Sequence, residues 1–193
     1  MLSVLVSIFI LSSLHVQDSN RHAEWRTVAD SSHHLSFDCP VEASIESKRF
    51  SDDPYLVLRV FCADSLYPSF GNLFGKKTIL FAEFNCTKLS FPDAAADWGL
   101  THDRKHYFIY ANPGLGPSNR LRLVESRKSI TLKGHQSIGQ NSSEGYMEIA
   151  SVPFAFVFVK GQRQRNVVMQ VWYDSTASST LDRIIQSFRV IEE

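Results

Sequence analysis

The sequence predicts an α+β fold: a central antiparallel sheet with helices on its faces and a C-terminal amphipathic helix packed on the sheet. Three observations predict it. Phe154 to Val159 and Val167 to Tyr173 are β-rich apolar runs joined by the polar link Gly161-Gln162-Arg163-Gln164-Arg165-Asn166, the pattern of a hairpin with a longer loop. Leu56 to Cys62 is nearly continuous apolar sequence, as in a strand covered on both faces. Leu181, Ile184, Ile185 and Phe188 fall at i, i+3, i+4 and i+7, one apolar helical face that must lie on other structure.

The elements follow in order. Leu2 to Leu14 is apolar apart from four serines and is followed at once by polar residues from His15 to Arg21. Such a run is too short for a membrane-spanning helix, which needs roughly 20 residues, and has the length of a signal-peptide core. Residues 1–19 are therefore expected to be a signal peptide and residues 20–193 a single domain, exported to the periplasm, the cell envelope or the exterior. Trp25 to Val28 and Leu35-Ser36-Phe37 read as short strands, the second ended by Pro40. Residues 41–53 are polar and read as a loop.

Thr78 to Cys86 is a strand with Leu80, Ala82 and Phe84 on one face and Ile79 and Phe81 on the other. Tyr67 to Asn72 has turn chemistry. Phe91-Pro92-Asp93 opens a short helix through Ala94-Ala95-Ala96, ended by Gly99. His106 to Ala111 is a strand, and Asn112 to Pro117 breaks the chain. Leu121 to Val124 and Ile130 to Leu132 read as half-exposed strands, and Gly134 to Gly145 as a loop. Ser179 is the expected N-cap of the last helix, with Asp182 closing a capping box. If the strands around Phe37, Leu58 and Ala82 are sequential neighbours, Cys39 and Cys86 fall at one end of the sheet, and Cys62 is the unpaired thiol.

The two ends of the chain resemble a family. Trp25 followed by Leu35-Ser36-Phe37-Asp38-Cys39-Pro40 resembles the opening of PsbP-like domains, and Leu181-Asp182-Arg183-Ile184-Ile185-Gln186-Ser187-Phe188-Arg189 resembles their terminal helix. That superfamily includes an extrinsic photosystem II protein, a Ran-binding nuclear import factor and bacterial envelope proteins. The resemblance implies a central antiparallel sheet with helices on its faces. Its members share a fold and not a function, so it brings no site residues with it.

Lys plus Arg equals Asp plus Glu, so global charge makes no case for nucleic acid. Locally the balance differs: Arg120 to Arg165 holds eight Lys or Arg and three Glu. The expected binding residues are Arg120, Arg122, Arg127, Lys128, Arg163 and Arg165, with a protein partner or an anionic surface as the target. His102 and His106 would share a helical face, but His106 opens a strand and no third ligand is indicated. The Asn112–Pro117 break lacks the phosphate-loop lysine, and its prolines lack N–H donors. No catalytic constellation, metal site, cofactor or transmembrane segment is expected.

Two readings of function follow. The first is an exported, non-enzymatic accessory or binding protein. The second is a small-molecule or metal-binding enzyme whose site is assembled from residues distant in sequence. A concave apolar pocket with convergent polar groups favours the second, and a flat sheet face with exposed Arg and Lys favours the first.

Overall fold

A computed structural model describes residues 24–31, 33–50, 53–61, 73–75, 77–103, 105–110, 118–142, 145–161 and 165–191. The expected signal segment, Cys62, the Tyr67–Asn72 turn, the Asn112–Pro117 break and Arg163 lie outside the described residues.

The chain is mainly β. Strands run over β1 (Trp25–Asp30), β2 (Leu35–Pro40), β3 (Ser44–Phe50), β4 (Asp53–Phe61), β5 (Thr78–Thr87), β6 (Leu100–His102), β7 (Tyr107–Tyr110), β8 (Ser118–Glu125), β9 (Ser129–Ser142), β10 (Gly145–Val159), β11 (Asn166–Tyr173) and β12 (Arg189–Val190). The elements also include helices α1 (Phe91–Asp97) and α2 (Ser178–Ser187) and a 3₁₀ turn at Ser175–Ala177. Among the described residues, no helix is long and apolar enough to cross a membrane.

The large sheet has the order β3-β4-β5-β11-β10-β9-β8-β7-β6, and a small one has the order β1-β2-β12. Every pairing is antiparallel.

Strand alternation makes the large sheet a partition between two cores. On β10, Ala155, Val157 and Val159 enter one core, while Phe154, Phe156 and Phe158 enter the other. On β11, Val167, Met169 and Val171 join the first core and Val168 the second. The second core is closed by α1 through Ala94 and Ala95. Phe91 stands 5.3 Å from Tyr107 and 5.7 Å from Phe158 between ring centroids. Pro92 occupies the first turn of α1. Gly99, at φ +79°, lies just past its end in the left-handed backbone region that glycine tolerates.

The first core also holds Leu35, Phe37, Cys39, Leu181, Ile184 and Phe188. Phe37 stacks on Phe188 at 5.1 Å and meets Phe84 edge-on at 5.2 Å. Next to this ring cluster, Ser187 Oγ accepts from the Asp38 N–H at 2.8 Å and donates to the Ile184 carbonyl at 2.8 Å. Arg189 and Val190 then pair with Ser36 and Leu35. The Ser36-Phe37 and Ser187-Phe188 motifs are thus two halves of one packing unit.

Four expectations are corrected. Residues 41–53 are not a loop throughout, because Ser44–Phe50 forms edge strand β3. There Ile45 packs on the core while Glu46, Ser47 and Lys48 are exposed. The Gly134–Gly145 segment is not a loop either: β9 and β10 continue through it as a long hairpin, with Ser142 opposite Gly145. The last helix starts at Ser178 with Ala177 at its N-cap and no side-chain cap. Asp174 caps the preceding 3₁₀ turn instead, its Oδ1 accepting from the Thr176 N–H and hydroxyl at 2.8 Å each.

The fourth correction concerns strand order. Leu58 does lie opposite Ala82, but β2 belongs to the small sheet. Cys39 and Cys86 are both free. Cys39 is buried in the first core. The Cys86 thiol donates to the His33 carbonyl at 2.7 Å, and burial pushes its pKa up to about 11 despite the nearby Arg165 charge.

Phe188 tests the docking of the last helix. Phe188→Ala empties a buried aromatic site and is expected to destabilise by about 3–5 kcal/mol. Gln186, exposed on the opposite side of α2, is expected to tolerate alanine within about 0.5 kcal/mol. Denaturant midpoints check both, and equal midpoints contradict the packing.

Candidate binding site

The site grows from the pairing of β8, β9 and β10. Arg122 lies opposite Lys133, and Lys133 opposite Ala155. Because side chains alternate, Lys133 and His135 share a sheet face, as do Arg120 and Arg122 on the neighbouring strand. It is the face on which α2 rests: Lys133 Nζ donates to Asp182 Oδ1 at 3.0 Å. The ion pair is partly solvated and worth at most about 1 kcal/mol. It locates the helix against the sheet more than it stabilises the fold.

Gly134 sets how closely the strands approach. A methyl group there would stand 2.8 Å from Leu121 Cδ2 and 3.1 Å from the Arg120 carbonyl oxygen. A side chain there would displace the Leu121 tip and press the Arg120 carbonyl away by a few tenths of an ångström, so glycine favours the close approach that sets Arg122 opposite Lys133.

Where the start of α2 meets this face, a cleft of about 390 Å³ opens, lined by Arg122, Lys133, Gly134, His135, Pro153, Tyr173, Ser175 and Ser178. Tyr173 is buried, and that burial holds its hydroxyl above the usual tyrosine range, with Lys133 pulling it back and Asp182 pushing the same way as burial. A cleft that presents Arg122, Lys133 and His135 beside hydroxyls suits an anionic group on a partner.

The six expected residues divide. Arg120 and Arg122 are exposed on β8, and Arg122 lines the cleft. Arg127 and Lys128 are exposed in the Ser126–Ser129 turn, where Ser126 Oγ accepts from the Ser129 and Lys128 amides at 2.9 and 3.3 Å. Ser129 is four residues from Lys133, so this turn lies about 13 Å further along the sheet. Arg165 is half-buried at the start of β11 near Cys86. Arg163 is outside the described residues. The structure therefore joins Arg120 and Arg122 to Lys133 and His135, with Arg127 and Lys128 extending the same hairpin.

His135, Tyr173, Ser175 and Ser178 escaped the sequence reading. The i, i+2 spacing of Lys133 and His135 would have shown a shared face had Gly134 onward been read as strand.

The other histidines have local roles. The His33 imidazole lies 3.1 Å from Asp30 Oδ1. His106 Nδ1 stands 3.5 Å from Asp103 Oδ1, which also accepts from the Lys105 and His106 amides at 2.7 and 2.8 Å. Those backbone bonds hold the Asp103 carboxyl below its ordinary range. His102 packs its ring against Tyr107 at 5.4 Å.

No family model matches the chain, and no curated protein matches it. Solved structures do. The solution structure of cyanobacterial PsbP (CyanoP) from Synechocystis sp. PCC 6803 is 12% identical, superposes with a TM-score of 0.50, and covers 92% of this chain and 98% of its own. The Ran-binding protein Mog1p of Saccharomyces cerevisiae is 10% identical, with a TM-score of 0.49 over 88% of this chain and 97% of its own. At such identities the likeness to PsbP speaks for the fold alone. The fold is the PsbP-like one that the motifs in Leu35–Pro40 and Leu181–Arg189 implied.

Proposed function

We propose that this chain is an exported, non-enzymatic binding domain that docks an anionic protein partner on the β8–β9 hairpin. One observation carries the reading: Arg120, Arg122, Lys133 and His135 share one sheet face, and Arg122, Lys133 and His135 line an open cleft on it. Asp182 is paired there with Lys133. Arg127 and Lys128 lengthen the cationic surface toward the turn. The apolar run Leu2–Leu14, followed by polar sequence, supports export.

Charges of this kind act first on encounter. Arg120 and Arg122 are exposed, so reversing both to Glu is expected to change stability by less than about 0.5 kcal/mol. With a partner captured from the native compartment, the same double reversal is expected to slow association by about tenfold. Raising salt from 0.1 to 1 M, where the screening length falls from about 10 to 3 Å, is expected to slow the unaltered protein similarly. Association rates indifferent to both salt and the double reversal overturn the proposal.

A further inference from the structure

The second half of β8 is a free sheet edge. Pairing with β7 covers Ser118–Leu121 and stops at Tyr107 opposite Leu121. Pairing with β9 covers Arg122–Glu125. Among the described residues, Arg122–Glu125 has a strand on its β9 side and none on its β7 side.

The direction of the backbone groups follows from the turn. Ser126 N–H donates to the Ser129 carbonyl at 2.8 Å, which makes 126 and 129 a hydrogen-bonded pair. Such pairs alternate along an antiparallel ladder. Val124 with Thr131 and Arg122 with Lys133 are then also hydrogen-bonded pairs, and the N–H and C=O groups of Leu123 and Glu125 point away from β9. The other side of the sheet agrees. Asp103 N–H donates to the His106 carbonyl at 3.0 Å, so by the same alternation Tyr107 and Ile109 bond toward β8, opposite Leu121 and Asn119. Leu123 and Glu125 continue the row that β7 leaves unfinished.

The side chains are equally open. Leu123 is 47% exposed and Val124 38%, and they lie on opposite faces. Arg120, Arg122, Arg127 and Lys128 flank them, against Glu125 as the one acidic residue between Ser118 and Lys133.

We propose that Arg122–Glu125 receives an extended acidic segment of a protein partner as an added strand in line with β7. Main-chain bonds to Leu123 and Glu125 hold the segment, and alternate side chains select it. Acidic side chains fall on the face of Arg120 and Arg122, and apolar ones beside Leu123. The inference rests on the β8–β9 hairpin being the docking site and adds how the partner is held.

The probe is a capped hexapeptide alternating Glu and Val, read by fluorescence anisotropy against the full chain. Two further versions carry N-methyl groups on one or the other alternate set of amides, which leaves charge and side chains unchanged. Leu123→Pro removes one outward N–H without touching the β9 ladder, a position at which an edge strand tolerates proline. The parent peptide is expected to bind. One N-methylated version and Leu123→Pro are each expected to weaken binding by about tenfold or more, as losing one or two hydrogen bonds implies.

If Leu123→Pro fails to fold, the peptide pair alone decides. Absence of peptide binding, or equal binding by all three peptides, overturns strand addition. In the latter case, sensitivity to Arg120→Glu and Arg122→Glu still upholds charge docking. A concentration-dependent dimer in sedimentation that Leu123→Pro dissolves overturns the choice of occupant, because two copies would then pair through this edge.

Discussion

Burial of both faces of β10 and β11 is the constraint on which the rest of the structure depends. Phe154 to Val159 are six successive residues with at most 5% exposure each. A fully buried large apolar side chain contributes about 1.5–3 kcal/mol, so this strand alone outweighs any surface ion pair in the molecule. A strand buried on both faces must have cover on both. The first cover is α2 with the small sheet. The second is α1 with the curled β6–β7–β8 end of the large sheet. The Phe37–Phe84–Phe188 cluster and the Phe91 contacts are the two local solutions to one requirement.

The cleft and the basic face around it follow from where that cover stops. Helix α2 lies over the middle of the large sheet and meets the β8–β9 hairpin at Lys133, through Asp182. Beyond this contact the face is open, and strand positions that would otherwise need apolar residues carry Arg120, Arg122 and His135. The cleft is the step between covered and uncovered sheet. The free edge at Arg122–Glu125 has a related origin, since β7 begins only at Tyr107, opposite Leu121, and among the described residues no strand flanks the last half of β8 on that side.

How much of this was legible depends on what each element asks of its residues. Elements held by apolar burial announced themselves: β10, β11 and α2 from their apolar patterns, β5 from the alternation of Leu80, Ala82 and Phe84, and α1 from Pro92 and Gly99. Elements held chiefly by main-chain ladders did not. Ser44–Phe50 offers Ile45 to the core and becomes a strand because β4 pairs with it. The polar stretch beyond Gly134 is a strand because β10 continues beside it. The basic run was visible, but its division was not, since register decides that Lys133 faces Arg122 while Arg127 and Lys128 sit at the far turn. The two family-like motifs were read separately at the chain's ends, and only the fold shows Ser187 bonding Asp38 and Phe188 stacking on Phe37.

If the doubly buried pair is the spine of the molecule, its amides open only when the whole domain does. Native-state hydrogen exchange measures this residue by residue. The account predicts that amides of Phe154–Val159 and Val167–Val171 engaged in the β10–β11 ladder exchange with an opening free energy equal to the global unfolding free energy from denaturant titration. Amides of β6, β7 and β3 are predicted to exchange through smaller openings. Exchange of the β10 and β11 amides through sub-global openings, while those of α2 or β2 stay protected to the global limit, would contradict it.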